Sequence, residues 1–370
     1  PFPPRSTPYP LPPEGKTYLF QRLQSRLRER GYNFIHEPNA RTTAPYDGRP
    51  ACAGNNNCMP VCPIGAMYSG DVHVDHAVAA GAELRTDATA YRLEAGEANR
   101  IAAVHYRTSK GGDVRLTARY FVVACHGLET PKLLLLSEVA NSSGQVGRNL
   151  MDHSGIGLQF LADEPVWMGR GQIQQGGIFN WRDGPFRANH AAIKHAPSNY
   201  VPNTAVAQRL LGQGLMGADL EARIRDEAAR WVDISTVFEI LPSPDNRVEP
   251  NLAKKDALGI PMLKVHYEID DYVKAARPVA MNDFRNFVAG MGGEVVVDDT
   301  GWQNRDHIMG TVIMGADPAD SVVDGDCRTF DNPNLFLATT GVIPASGVIN
   351  PTLTGVALAI RLADTIAREM

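Results

Sequence analysis

Apolar and polar positions change period several times along this chain, and each change marks an element. Leu19, Leu23 and Leu27 recur every four residues with charged side chains between them. This predicts an amphipathic helix over 14–30 that Gly31 can end. Residues 1–13, with seven prolines, predict an extended segment. Residues 32–70 are rich in Asn, Gly, Pro and Cys and show little periodicity; so long a patternless stretch is usually functional or unfolded. A short helix is predicted over 71–80, with Asp71 as cap and Gly81 as stop. Ala82–Leu93 reads as a strand. Ile101–Arg107 and Val114–Ala124 read as a hairpin around Lys110-Gly111-Gly112-Asp113. The unbroken apolar run Phe121–Ala124 predicts a strand end buried on both faces. A helix follows, with Pro131 near its start and Leu133–Leu136 inside it.

The texture changes between 155 and 300. Strands at Val232–Leu241 and Leu263–Ile269 alternate with amphipathic helices at about 205–230 and 270–290, the latter interrupted by Pro278, which predicts an α+β domain. From 305 the chain is glycine-rich again and ends in a helix, Leu353–Arg368. Its stripe of Leu358, Leu362 and Ile366 should face a core. With 370 residues, 44% of them hydrophobic, the chain can bury two cores without disulfide staples. A formal net charge of −5 argues against a nucleic-acid binder. No run approaches the roughly 18 apolar residues that span a bilayer. The first residue is not Met, so the natural N-terminus is expected to be missing.

The five cysteines change the picture. Cys52, Cys58 and Cys62 lie within eleven residues, spaced C-x5-C-x3-C. Thiolates on one tight loop can wrap an iron–sulfur cluster, and three ligands suit a three-iron cluster or a four-iron one with an outside ligand. A Cys3His zinc site using His73 or His76 is an alternative, although the spacing is not the usual knuckle. So is one disulfide beside a free thiol. Cys125 reads as a buried apolar residue and Cys327 as structural.

The loop Cys52-Ala-Gly-Asn-Asn-Asn-Cys58-Met-Pro-Val-Cys62, together with Val146-Gly-Arg-Asn-Leu-Met-Asp-His153, Asp306-His-Ile-Met-Gly-Thr311, Ser321-Val-Val-Asp324 and Asn350-Pro-Thr-Leu-Thr354, resembles the glucose–methanol–choline (GMC) oxidoreductases. The likeness covers nearly the whole chain and is strongest to their bacterial FAD-dependent sugar and polyol dehydrogenases. It implies a fold that is part α/β and part α+β: a Rossmann-like FAD domain, incomplete here, and a substrate domain whose antiparallel sheet is flanked by helices. Residues 1–50 would then be an entry segment of the substrate domain and 51–70 the cysteine loop. Residues 71–154 and 305–370 would belong to the FAD domain, and 155–304 to the substrate domain. Such enzymes begin with a strand–GxGxxG–helix unit that cradles the pyrophosphate. No such cradle is recognised, so roughly a third of the expected protein is absent.

The resemblance also implies roles. Oxidising an alcohol needs a base for the hydroxyl proton and an acceptor for the hydride, and histidine suits the first task near neutral pH. His307 matches the family's catalytic position, and Asn350 matches the second position of the pair, where it would hydrogen-bond the substrate hydroxyl. Thr89, Ala124, Gly127, Thr340, Gly341, Pro351 and Thr352 match cofactor-contacting positions. Cys52, Cys58 and Cys62 would ligate a 3Fe-4S cluster, which places that reading above zinc. The expected reaction moves a hydride from a sugar or polyol, glucose foremost, to FAD, with electrons leaving through the cluster. The expected partners are a small escort subunit and a multihaem cytochrome c at a periplasmic membrane, with no membrane contact except through a partner. A GMC-type oxidase, or a non-catalytic fragment or metal-binding protein, are the rivals. Asp306 would favour the charged form of a neighbouring imidazole. Arg148, Asp152 and His153 read as structural, His73 and His76 as solvated or near the cluster.

Overall fold

The computed structural model describes residues 6–370, the side chain of Asp299 excepted, so part of the proline-rich start lies outside the described residues. In chain order the helices are α1 (Tyr18–Arg28), α2 (Asp71–Ala79), α3 (His126–Ser137), α4 (Asn203–Gly212), α5 (Gly217–Arg230), α6 (Asp271–Gly290) and α7 (Thr352–Glu369). The first strands are β1 (Phe34–His36), β2 (Thr89–Ala95), β3 (Ile101–Arg107), β4 (Asp113–Thr117), β5 (Phe121–Val123), β6 (Ser154–Leu161) and β7 (Gly176–Trp181). The remainder are β8 (Ile193–Ser198), β9 (Trp231–Phe238), β10 (Arg247–Lys255), β11 (Pro261–His266), β12 (Glu294–Asn304) and β13 (Leu335–Leu337). They fall into two compact units.

The first unit takes in the residues up to Glu83, Gly155–Phe238 and Ala275–Gln303. Its centre is a six-stranded sheet in the order β1-β7-β8-β9-β6-β12, antiparallel through β1, β7, β8 and β9. Helix α1 forms as its leucine spacing predicts: Leu19, Leu23 and Leu27 are buried, and Thr17 caps the first turn through Phe20 N–H. Gly31, at φ +84°, ends the helix. The single helix expected near 205–230 is two helices, because Gly214 and Gly217 take positive φ between α4 and α5. Gly212-Gln-Gly-Leu-Met-Gly217 is the one stretch of the chain with GxGxxG spacing. It joins a helix to a helix rather than a strand to a helix, so it is no pyrophosphate cradle. Helix α6 runs through Pro278 as one element.

The patternless stretch 32–70 is ordered by hydrogen bonds rather than by regular structure. Thr42, fully buried, accepts Cys52 N–H at its carbonyl, and its hydroxyl donates to the Ala66 and Pro50 carbonyls. Arg41 grips Glu14 through two bonds of 2.8 and 3.0 Å, both side chains largely buried. Burying this pair is tolerable because each charge faces its partner. Helix α2 begins at Asp71 itself and stops at Gly81, φ +98°.

The second unit takes in Leu84–Ser154, Glu239–Lys274 and Asn304–Met370. It holds a three-stranded meander β2-β3-β4, a β10-β11 pair and a parallel pair β13-β5. The strand expected from Ala82 starts only at Thr89. Asp87 takes a left-handed φ of +51° so that its carboxylate can accept Ser109 N–H and hydroxyl, both at 2.8 Å, and extended backbone cannot continue through it. The strand expected over Val114–Ala124 also breaks. Its second half becomes β5, which leaves the hairpin and pairs in parallel with β13 through Leu335↔Phe121 and Leu337↔Val123. Phe121 and Val123 join the core, whereas Val122 is exposed, so burial on both faces is not found. Leu362 is buried, and Leu358 and Ile366 pack against the same core, as the α7 stripe predicts.

Pro131 lies in the middle of α3, not near its start. A proline there removes the N–H that would bond the Gly127 carbonyl four residues back. The Thr311 hydroxyl supplies the replacement at 2.5 Å.

Candidate active site

Two motifs distant in sequence are zipped together in the second unit. Met151 and Met309 form an antiparallel bridge, with N–H···O distances of 3.0 and 2.9 Å. Gly310 makes this possible: at φ +84° it turns the chain so closely that a Cβ would sit 2.0 Å from the Asn149 carbonyl oxygen. The bridge sets Asp152 and His153 beside His307.

His307 is thereby held at three points. Its backbone N–H donates to Asp152 Oδ1 at 2.8 Å. Its Nδ1 lies 2.8 Å from His153 Nδ1, the two rings edge to face. Its Nε2 lies 3.0 Å from the side-chain amide of Asn350. The structure thus brings His307 and Asn350 together across 43 residues. Asp152 is buried, which pushes its pKa up against the pull of the N–H groups of His307, Asp306 and Arg305. Tyr267 donates its hydroxyl to the Asp152 carbonyl at 2.6 Å. Asp306, by contrast, accepts from Asn304 Nδ2 at 2.6 Å and occupies a left-handed turn, φ +56°. The sequence alone points to Asp306 as the neighbour that tunes the base and to Asp152 and His153 as structural. Only the bridge reveals that these two contact the candidate base.

The positions expected to meet a cofactor gather at the carboxyl ends of β5 and β13, where open parallel sheets bind ligands. Ala124 is exposed in the turn after β5, and so is Cys125, which is not the buried residue expected. Gly127 and Gly341 are places where a side chain would not fit. A Cβ on Gly127 would lie 2.7 Å from Ile308 Cγ2, and one on Gly341 2.8 Å from Thr311 Oγ1. Thr340 donates its hydroxyl to the Ile308 carbonyl at 2.7 Å. Pro351 caps α7 and is buried, while Thr352 opens the helix exposed to solvent. Thr89 stands apart in the meander, exposed at the start of β2 opposite Arg107.

The cysteine loop lies in the first unit. Cys52, Cys58 and Cys62 are free thiols, Cys58 buried and the others half-buried. Partial burial opposes ionisation of Cys62, but backbone N–H groups of Met67, Ile64, Ala66 and Gly65 outweigh it and hold the thiol below its ordinary value. Gly54 N–H meets Cys52 Sγ at 3.4 Å. Asn56 pins the loop through the Gly171 and Asn199 carbonyls, at 2.9 and 2.6 Å. Nevertheless no three His, Cys, Asp or Glu side chains among the described residues are gathered closely enough to hold a metal. His73 bonds Tyr68 and His76 faces Asp47. Cys327 is buried in the core of the second unit.

Residues 41–155 and 242–359 match the two parts of the GMC oxidoreductase family. The fructose dehydrogenase large subunit of Gluconobacter japonicus is 41% identical over all of this chain and 69% of its own length. The chain belongs to the GMC oxidoreductases. A second member, the 2-methyl-1,2-propanediol dehydrogenase of Mycolicibacterium austroafricanum, is 28% identical over 97% of this chain and 68% of its own. Among solved structures a formate oxidase aligns with a TM-score of 0.56 and 18% identity, over 76% of this chain and 60% of that one, which speaks for the fold. The chain therefore spans about two thirds or less of each.

FAD is the family's cofactor, and the residues present fit part of its surroundings. The turn at Ala124 and the amino end of α7 are exposed, and Gly127 and Gly341 let the 308–312 segment pack closely against the carboxyl ends of two parallel strands. The first N–H groups of a helix lack partners within it and suit electron-rich oxygens. The three cysteine sulfurs form no ligand group in the conformation described. No helix among the described residues is long and apolar enough to cross a membrane.

Proposed function

We propose that this chain serves an FAD-dependent dehydrogenase that oxidises a hydroxyl of a sugar or polyol. The observation that carries this reading is the 3.0 Å meeting of His307 Nε2 with the Asn350 amide. A ring nitrogen paired with an amide can divide the work on a hydroxyl: Nε2 takes the proton, and the amide holds the oxygen in place. FAD, when bound, supplies the acceptor for the hydride. Asp152 fixes the His307 backbone, and the glycines at 127 and 341 let Ile308 and Thr311, next along the chain, pack closely beneath it. The names of the relatives favour a polyhydroxy donor. D-glucose, the donor the motifs first suggested, and D-fructose are the substrates to compare.

The electron route belongs to the same proposal in coarser form. Three cysteines within eleven residues and the N–H groups facing Cys62 support a 3Fe-4S site. The conformation described gathers no such ligand group among the described residues. The name "large subunit" borne by the Gluconobacter relative supports partner subunits. A small escort protein and a multihaem cytochrome c, with the periplasmic location they entail, are the partners proposed.

The test uses the flavin-loaded holoenzyme with D-glucose, D-fructose and D-sorbitol. Dye reduction with little oxygen uptake is expected. Oxygen uptake that matches turnover without dye would turn the reading to an oxidase, and no reaction with any donor would end it. Iron and acid-labile sulfide in the ratio of a 3Fe-4S cluster would support the cysteine site, and their absence from protein kept from chelators would remove it.

A further inference from the structure

We propose that His153 is a positioning residue that fixes which nitrogen of His307 carries the proton. The inference rests on the proposed function, and it starts from an atom that has no choice. His153 Nε2 lies 2.9 Å from the carbonyl oxygen of Gly347, and a carbonyl can only accept. In the neutral ring His153 Nε2 therefore carries the hydrogen, and Nδ1 is left with its lone pair. That lone pair faces His307 Nδ1 at 2.8 Å, so His307 must donate from Nδ1. The neutral His307 ring then has its lone pair on Nε2, the nitrogen beside Asn350. The amide Nδ2 donates to that nitrogen, which agrees with the assignment. The nitrogen that must take a substrate proton is the one that carries no hydrogen.

The surroundings make this relay hard to reverse. His153 is fully buried, so its ring cannot turn over without losing both bonds. The Gly347 carbonyl is aimed by a left-handed residue, φ +52°. Ser346 beside it is clamped to Ile240, accepting its N–H at 2.9 Å and donating to its carbonyl at 2.8 Å. The opposite tautomer of His307 would point two lone pairs at each other across Nδ1 and set an N–H against the Asn350 amide. A histidine ordered this way needs no carboxylate partner.

The experiment reads tautomers and rates separately. Long-range nitrogen–proton correlation spectra of holoenzyme labelled at its ten histidines should show His307 with hydrogen on Nδ1 and His153 with hydrogen on Nε2. The reverse assignment for His307 overturns the proposal. His153→Leu should lower kcat about 100-fold with KM within about threefold, since substrate still binds but the base is disordered. His153→Asn places an acceptor oxygen near the former Nδ1 and should recover about tenfold of that loss. Leucine keeping kcat within about threefold of wild type, or folded asparagine performing no better than leucine, would also overturn it. If the leucine variant does not fold, the wild-type spectrum and the asparagine variant decide. If wild type oxidises none of the three donors, the proposed function falls, and the spectrum still judges His153 by itself.

Discussion

Each unit buries a histidine-centred network, and the two are built for different ends. In the first unit His195 is 1% exposed and its ring is bonded on both sides, Nδ1 to Thr236 at 2.8 Å and Nε2 to Asp283 at 3.0 Å. Asp283 also accepts Tyr32 hydroxyl at 2.7 Å and Trp181 N–H at 2.8 Å, and Tyr32 accepts from Asn286 at 3.1 Å. The network closes on itself and ties α6 to β7 and β8. In the second unit the network begins at the carbonyl of half-buried Gly347, passes through buried His153 and half-buried His307, and reaches exposed Asn350. A closed network returns its desolvation cost as rigidity. An open one carries a defined tautomer to the surface, where a ligand can meet it.

The largest effect should separate these roles. His307→Ala should lower kcat about 1,000-fold or more while moving Tm by no more than about 2 °C, as assay and melting curve will show. Activity near wild type would mean that the open network is not the site.

Asp283→Ala should do the reverse, costing on the order of 3–5 kcal/mol because the buried His195, Tyr32 and Trp181 groups lose the oxygen they bond. Urea denaturation would read this, with activity per folded molecule kept. A pH series sharpens the point. Burial opposes the Asp283 charge, but the His195, Tyr32 and Trp181 bonds outweigh it and depress its pKa. A depressed carboxylate contributes stability above its ordinary value and loses it as pH falls through the folded-state value. The advantage of wild type over Asp283→Asn should therefore hold above about pH 4 and shrink progressively as the pH falls further, and an advantage already lost well above pH 4 would contradict this account.

Asp152 sits between the extremes. Asp152→Ala leaves the N–H groups that converge on it without an acceptor, at a cost of about 1–3 kcal/mol, and should lower kcat about tenfold. Asp152→Asn keeps an acceptor oxygen and removes a charge that burial already disfavours, so kcat should stay within about threefold. Equal damage from both would show that the charge itself matters. The smallest effect is expected at Asp306→Asn, within about twofold in kcat/KM. Asn tolerates the left-handed turn as well as Asp, and the Asp306 carboxylate bonds Asn304. A larger fall would restore Asp306 to the role its position beside His307 suggests.

Local pattern and chemistry alone made much of this protein legible. The leucine stripes of α1 and α7, the glycine stop after α2, the turn between β3 and β4 and the motif residues His307 and Asn350 all depend on neighbours a few residues away or on a recognisable string. Strand limits were less legible. Asp87 spends its carboxylate on Ser109, and Phe121–Val123 finds a parallel partner more than 200 residues on. The cysteine spacing announced its chemistry in sequence, yet the fold described gathers no ligand set there. What tertiary structure alone decided is the state of the base. A histidine's two nitrogens are equivalent in a sequence. They become different only when a distant carbonyl at Gly347 and a glycine at 310 that lets two segments touch make one nitrogen a donor and the other an acceptor.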